Sequence, residues 1–167
     1  GSGKTTTGRA LVRLAPITAG SVRLEEQDVT RIAGRALRDY RRRVQIIFQD
    51  PYASLDPRRT IGEQVAEPLA IQGVGAVDER AARVDRALED AGLRPAMRFR
   101  DRFPHELSGG QRQRVSIACA MVLDPDVLVA DEPVSMLDVS LRSGILRVML
   151  DLRERRGVGI LFITHDL

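Results

Sequence analysis

Lysine is almost absent from this 167-residue chain: of 26 basic residues, only Lys4 is a lysine. Tryptophan is missing, tyrosine and phenylalanine number two and four, and there is a single cysteine, Cys119. One cysteine allows no internal disulfide and no cysteine-based metal cage. No apolar run approaches the roughly 18 residues of a membrane helix; the longest, Ile117 to Leu123, has seven. Few aromatics and a net charge of only +3 give little footing for nucleic-acid binding. The arginines at 41–43, 58–59 and 153–156 read as solvated faces or pairing sites. With 43% hydrophobic residues the chain can still bury a sizeable core. It reads as one domain incomplete at both ends, since it opens inside a motif without an initiator methionine and closes on Leu167 just past an apolar run.

Two glycine-rich stretches stand out against this background. Gly1-Ser2-Gly3-Lys4-Thr5 matches the end of G-x-x-x-x-G-K-[ST], whose amides cradle phosphates, whose lysine reaches the β and γ oxygens and whose hydroxyl holds magnesium. A lone lysine in an arginine-rich chain points to a need for a compact ammonium at that place. The second stretch is Leu107-Ser108-Gly109-Gly110-Gln111. Ser108 and Gln111 fit a capping box, but a cap alone does not ask for two glycines, each costing up to about 1 kcal/mol in a helix interior. Bare backbone lets amides and the positive end of a helix approach an anion. Arg112 and Arg114, at a helix end that disfavours cations, fit the same expectation of something negative nearby.

Periodicity predicts alternating strand and helix around a helical block. A helix over Lys4 to Leu14 carries the first glycine-rich stretch, and turn residues from Pro16 to Gly20 end it. Ser21 to Leu24, Val44 to Phe48, Val127 to Ala130 and Ile160 to Thr164 read as strands, and residues 50–60 as a proline-marked loop. Helices are predicted over Ile61 to Gln72, Asp78 to Leu93 and Ser108 to Leu123, and Leu141, Ile145, Val148 and Leu152 mark a crossover helix. Continuous apolar strands joined by a helix predict a parallel sheet covered on both faces.

Three of these strands end on polar residues: Gln49, Asp131-Glu132 and His165. Ligands of open α/β sheets bind outside the carboxyl ends of the strands, so these groups should converge beside Lys4. Asp131 has the placing of a carboxylate that helps hold Mg²⁺, and Glu132 that of a general base for a water aimed at a γ-phosphate. Pro133 should stop the strand and keep both carboxylates out of a ladder. His165 can donate to the γ-phosphate or hold the water geometry, and Gln49 can bind the metal or orient water. Asp138 stands where it can cap the next helix.

The ordered set of Gly1 to Thr5, Gln49, Leu107 to Gln111, Val127 to Glu132, Ser135 to Asp138 and His165 resembles the ATP-binding cassette ATPases from end to end. The segments Ile46 to Arg58, Asp131 to Ser135 and Ile163 to Leu167 are similar to the ATP-binding subunits of oligopeptide, dipeptide and nickel importers. The resemblance implies an α/β fold, a P-loop NTPase (RecA-like) parallel-sheet core over 1–50 and 124–167, with an inserted helical subdomain over 51–123 and both termini truncated. It implies ATP held by Gly1, Ser2, Gly3, Lys4, Thr5 and Thr6, with Gln49 and His165 at the phosphates and Mg²⁺ held by Thr5, Gln49 and Asp131. Hydrolysis would fall to Glu132, His165 and Gln49. Ser108, Gly109, Gly110, Gln111 and Asp138 would act across a head-to-tail dimer of like or unlike ATPase subunits, closing on ATP held by the other copy.

The implied partners are a membrane permease, contacted through the loop after Gln49 and the helical block, and indirectly a solute-binding protein, with no nucleic acid. The implied place is peripheral, on the cytoplasmic side of the cell membrane. An exporter ATPase, or a soluble ATPase of the same type acting on nucleic acid or ribosomes, is the alternative. Met136 stands where the family commonly has alanine, and Cys119 where it commonly has arginine. An adenine-stacking aromatic is expected before residue 1, and the isolated chain is expected to bind ATP poorly.

Overall fold

The computed structural model describes residues 3–164, apart from the side chain of Tyr52. Helix α1 (Lys4–Leu11) leads to a two-residue hairpin, β1 (Arg23–Leu24) and β2 (Gln27–Asp28), then α2 (Gly34–Arg43) and β3 (Val44–Ile47). A short α3 (Pro51–Ser54), α4 (Ile61–Gln72), α5 (Val77–Asp90) and α6 (Gly109–Met121) form the helical block. Strand β4 (Val127–Asp131), α7 (Val139–Arg156) and β5 (Gly159–Ile163) complete the described chain.

Strands β3, β4 and β5 form one parallel sheet in that order, with Val44 opposite Val127 and Val127 opposite Gly159. Side chains alternate between its faces. Val44, Val129 and Ile163 join Val12, Val29 and Tyr40 in one cluster. Ile47, Leu128 and Ala130 join the larger cluster, which runs on without a break through Leu88 of α5, Ile117 of α6 and Met149 of α7. The sheet is therefore covered on both faces at β3 and β4. Strand β5 departs from that expectation, because Leu161 and Phe162 keep 44% and 40% of their surface exposed.

The helices at 61–72, 77–90 and 109–121 follow the predicted periodicity, and their ends have local causes. Thr60 and Glu63 form a reciprocal capping box at the start of α4. Gly92 at φ 81 closes α5, with Leu93 N–H donating to the Leu88 carbonyl and Gly92 N–H to that of Glu89, a Schellman ending. Where the sequence predicts a strand over Ser21 to Leu24, only Arg23–Leu24 is a strand, paired antiparallel with β2, and three further features differ from the sequence reading. Helix α1 stops at Leu11 rather than Leu14, because Arg13 adopts φ 60 and sends its guanidinium to the carbonyls of Thr30 and Ile32. Helix α2 was not predicted: its apolar contribution is confined to a narrow stripe of Leu37 and Tyr40 leading to Val44, within an arginine-rich segment. The loop at 50–60 contains the helical turn α3 and is pinned by buried Gln64, which accepts from Asp56 N–H at 2.8 Å and donates to the carbonyls of Asp56 and Arg59.

Leu128 is fully buried at the centre of the sheet. Leu128→Ala should cost about 2–5 kcal/mol through lost transfer energy and the cavity left behind, measured as the shift in urea unfolding of the full-length protein.

Candidate functional site

The start of α1 is open. Gly3 occupies the N-cap position at φ 75, no side chain caps it, and no acidic residue lies in the first turn. The first amides of a helix have no partner within it, so those of Lys4, Thr5 and Thr6 are presented together with the positive end of the helix. Thr7 braces the turn, its hydroxyl donating to the Gly3 carbonyl at 2.9 Å. Gly8 lets the helix lie close on the sheet: a Cβ there would come within 2.7 Å of Ile163 Cδ1 and 3.6 Å of Val129 Cγ1.

Because α1 packs on the face of β4 that carries Val129, alternation brings Asp131 to the same face. Asp131 is 2% exposed, and Thr5 Oγ1 donates to its Oδ1 at 3.3 Å. The backbone of the next residue breaks from the strand. Glu132 takes φ 48, a left-handed conformation costing a non-glycine residue of order 1 kcal/mol. Its N–H donates to the Ile163 carbonyl at 2.8 Å, while Ser135 returns both its N–H and its hydroxyl to the Glu132 carbonyl, at 3.1 and 3.0 Å. So Pro133 does not keep the acidic pair out of the ladder: Asp131 is the last residue of β4 and Glu132 extends its pairing to β5. Neither carboxylate is part of that backbone pairing.

The Glu132 carboxylate meets Gln49, whose Nε2 donates to Glu132 Oε2 at 2.8 Å. The predicted convergence of Gln49 with the acidic pair is thus present, with Gln49 holding the carboxylate itself. A groove of about 340 Å³ opens beside Glu132, walled by Val134, Arg142, Leu146 and Phe162. Two oxygen donors, the Thr5 hydroxyl and the Asp131 carboxylate, converge at the start of α1. Among the described residues no group of three or more His, Cys, Asp or Glu could hold a metal. A hydroxyl and one carboxylate beside a phosphate seat match the sparse protein ligation of Mg²⁺, which keeps waters and phosphate oxygens as its other ligands. Gly1, Ser2 and His165 lie outside the described residues.

The start of α6 is built differently. Ser108 Oγ accepts from Gln111 N–H at 3.3 Å, and Gln111 Oε1 accepts from Ser108 N–H at 3.0 Å, so the capping box is complete. Ser108 is exposed and Gly109 half-buried, but Gly110 is buried, and a Cβ on it would meet Leu141 Cδ1 at 3.4 Å. Gly110 therefore lies in contact with α7 at Leu141. The flanking cations are also accounted for within the chain: Arg112 Nε donates to the Pro104 carbonyl at 2.7 Å and Arg114 Nη1 to the Ala91 carbonyl at 2.9 Å. Each arginine thus has at least one backbone partner of its own beside the helix start. Asp138 is the N-cap residue of α7, but its side chain makes no capping hydrogen bond.

Helix α1 lies on the sheet face of Ile46, Val129 and Ile163, and α6 packs with Ile47, Leu128 and Ala130 on the other. The two glycine-rich helix starts therefore belong to opposite layers of one chain. Sequence reasoning missed the bracing by Thr7 and Ser135, and the spacing from Gly3 to Thr7 and from Glu132 to Ser135 was its only signal.

A family profile described as ABC transporter matches residues 1–135. A peptide import ATP-binding protein of Brucella ovis is 52% identical over all 167 residues, which is 52% of that relative. The glutathione import ATP-binding protein GsiA of Salmonella choleraesuis is 51% identical over the whole chain, 26% of its own length. The chain thus spans about half the length of the Brucella relative and about a quarter of the Salmonella one. Among solved structures, the dimeric ATP-binding cassette MJ0796 in a post-hydrolysis state bound to ADP and Pi superimposes with a TM-score of 0.83 at 32% identity, covering 99% of this chain and 71% of that one.

Proposed function

The chain belongs to the ABC transporter family, and from that premise we propose that it is the ATP-binding and ATP-hydrolysing part of an importer of peptide-type solutes. The observation that carries this reading is the pair of contacts at the strand ends, Thr5 to Asp131 and Gln49 to Glu132, beside the uncapped start of α1. In it, the amides of α1 and the ammonium of Lys4 bind the β and γ phosphates, with Gly1, Ser2 and Thr6 completing the cradle. Thr5 and Asp131, with Gln49 near them, would hold Mg²⁺, which when bound supplies positive charge against the phosphate oxygens. Glu132 takes the proton from the attacking water, with Gln49 fixing its carboxylate and His165 serving the γ-phosphate side.

The second helix start, at Ser108 to Gln111 with Asp138 of the neighbouring turn, serves the nucleotide of another subunit. Support comes from the opposite layers that carry α1 and α6, and from the dimeric form of the cassette MJ0796. Each ATP then sits between Lys4 of one copy and Ser108 of the next, in a homo- or heterodimer. ATP closes the pair because it binds the closed form better than the open one. Residues 1–50 and 124–167 act as the nucleotide-binding core, and 51–123 as the helical subdomain that meets the permease.

The choice of cargo rests on the relatives, named for peptide import and for import of glutathione, itself a small peptide. Among the described residues no helix is long and apolar enough to cross a membrane. On the reading taken from the import relatives, attachment is peripheral, through permease subunits at the cytoplasmic side, with a solute-binding protein engaged only through them. Export, or work on nucleic acid or ribosomes, has no support from these relatives.

In the full-length protein, Glu132→Gln should lower ATP turnover by about 10²- to 10⁴-fold, the usual worth of a general base, and leave ATP binding in place. Steady-state hydrolysis and equilibrium nucleotide titration check this, and near-normal turnover would refute the role of Glu132. Ser108→Arg should abolish ATP-driven dimerisation in size-exclusion chromatography while sparing nucleotide binding at the Lys4 side. Loss of both would show that the two seats are not divided between subunits.

A further inference from the structure

Helix α2 carries five arginines against one carboxylate, Asp39. Its apolar stripe of Leu37 and Tyr40 packs in the cluster with Val44, so the helix is anchored by one side only. Two of the arginines are engaged within the chain: Arg41 Nη2 donates to the Arg13 carbonyl at 2.6 Å, and Arg43 pairs with Glu25 and Asp126. The other three, Arg35, Arg38 and Arg42, follow one another at helical spacing and are exposed, which places them in one row along the outer face.

The chain compensates this row poorly. Arg35 comes no nearer than 4.0 Å to Asp39, with both side chains largely exposed, a pair of small worth. Arg38 donates to a neutral acceptor, the Ile71 carbonyl. Among the described residues no hydrogen bond or ion pair holds Arg42. It shares a cleft with Asp124 and Asp126, but these are already paired with Arg83, Arg86 and Arg43.

Arg38 fixes what lies beside the row. Its bond to Ile71, and the 3.9 Å that would separate its Nη2 from a Cβ on Gly73, set α2 against the turn between α4 and α5. That turn and the residue after it carry Ile71 and Val77, whose surfaces stay 63% and 80% exposed. The carboxylates there, Asp78 and Glu79, sit in the first turn of α5, where the helix dipole favours them, and Glu79 accepts from Ala76 N–H at 3.0 Å. Cations flanked by exposed aliphatic side chains make a surface suited to the headgroup layer of a bilayer. Helix α2 does not insert, because its own apolar stripe is used by the core.

We propose that the outer face of α2, beside the α4–α5 turn, binds the anionic phospholipid headgroups of the membrane next to the permease. The choice of lipid rests on the placement at the cytoplasmic side proposed above. Cytoplasmic loops of membrane proteins carry surplus Lys and Arg and would repel this row, whereas the cytoplasmic leaflet is anionic and attracts it. Nucleic acid offers similar phosphates, but Tyr40, the aromatic residue of α2, is buried and cannot stack on a base. The face thus adds a salt-sensitive contact with the bilayer to the attachment through the permease.

The test uses the full-length protein with vesicles of phosphatidylcholine alone, or mixed in equal parts with phosphatidylglycerol, read by co-sedimentation. The wild type should sediment with the mixed vesicles and not with the neutral ones. Salt raised to about 1 M should release it, since charges then act over only about 3 Å. Arg35→Gln/Arg42→Gln should weaken binding about fivefold for each arginine removed, with thermal midpoint and ATP turnover unchanged. Arg35→Lys/Arg42→Lys should bind as the wild type does, because the charge is what the headgroups read.

No sedimentation with the mixed vesicles, equal sedimentation with the neutral ones, or full binding by the double glutamine variant overturns the proposal. Tighter binding of a DNA duplex than of the mixed vesicles, lost in that same variant, overturns it in favour of nucleic acid. ATP turnover of the wild type is measured in solution beside each assay. Its absence would count against the ATPase reading, whereas vesicle binding that fails with turnover intact counts against this proposal alone.

Discussion

The carboxyl end of β4 is the constraint on which the site depends, because the two-residue period of a strand sends adjacent acidic residues toward different layers. Asp131 faces the layer of α1 and meets Thr5, and Glu132, just past the last strand residue, meets Gln49 from the end of β3. The separation is sharpened by the left-handed backbone of Glu132, which is held by the Ile163 carbonyl on one side and by Ser135 on the other. A residue in that conformation persists only when its surroundings over-determine it, and here three hydrogen bonds do so. Two carboxylates of the same intrinsic chemistry thereby acquire different neighbours, the basis for assigning one to a cation and the other to a proton.

The same economy of space governs the helices. Gly8 brings α1 onto the sheet, and Gly110 lies against Leu141 at the start of α6. At Gly8 the omission of a side chain is what lets the helix approach, because a Cβ there would come within 2.7 Å of Ile163. Layering then sets the larger arrangement. With α1 on one face of the sheet and α6 on the other, the two glycine-rich helix starts belong to one chain yet face different surroundings, the geometry that the proposed alternating assembly of subunits calls for.

Much of this was legible in the sequence. The helix over 61–72 shows a 3.6-residue pattern and a Thr60–Glu63 box, and the apolar runs at 44–48 and 127–130 need only a parallel sheet to bury them. The Ser108–Gln111 box was readable from composition and spacing alone, and so was the meeting of Gln49 with the Asp131–Glu132 strand end. Helix α2 was hidden because three arginines close a segment with only a narrow apolar stripe, and its docking is set by Tyr40 reaching the Leu11 carbonyl. The end of α1 was misjudged because the signal lies in Arg13 binding a hairpin 17 residues away.

What the sequence alone determined is therefore the inventory: glycine-rich helix starts, apolar strands with polar ends, and one lysine directly after the first glycine-rich stretch. These are local features, set by backbone freedom, period and side-chain chemistry over a few residues. Only the tertiary structure decided which groups share a face, that Gln49 holds Glu132, that Gly110 lies against Leu141, and that Arg112 and Arg114 each reach a backbone carbonyl. Those outcomes depend on which element lies beside which. That is settled by burial of the whole core at once, and no window of neighbouring residues contains it.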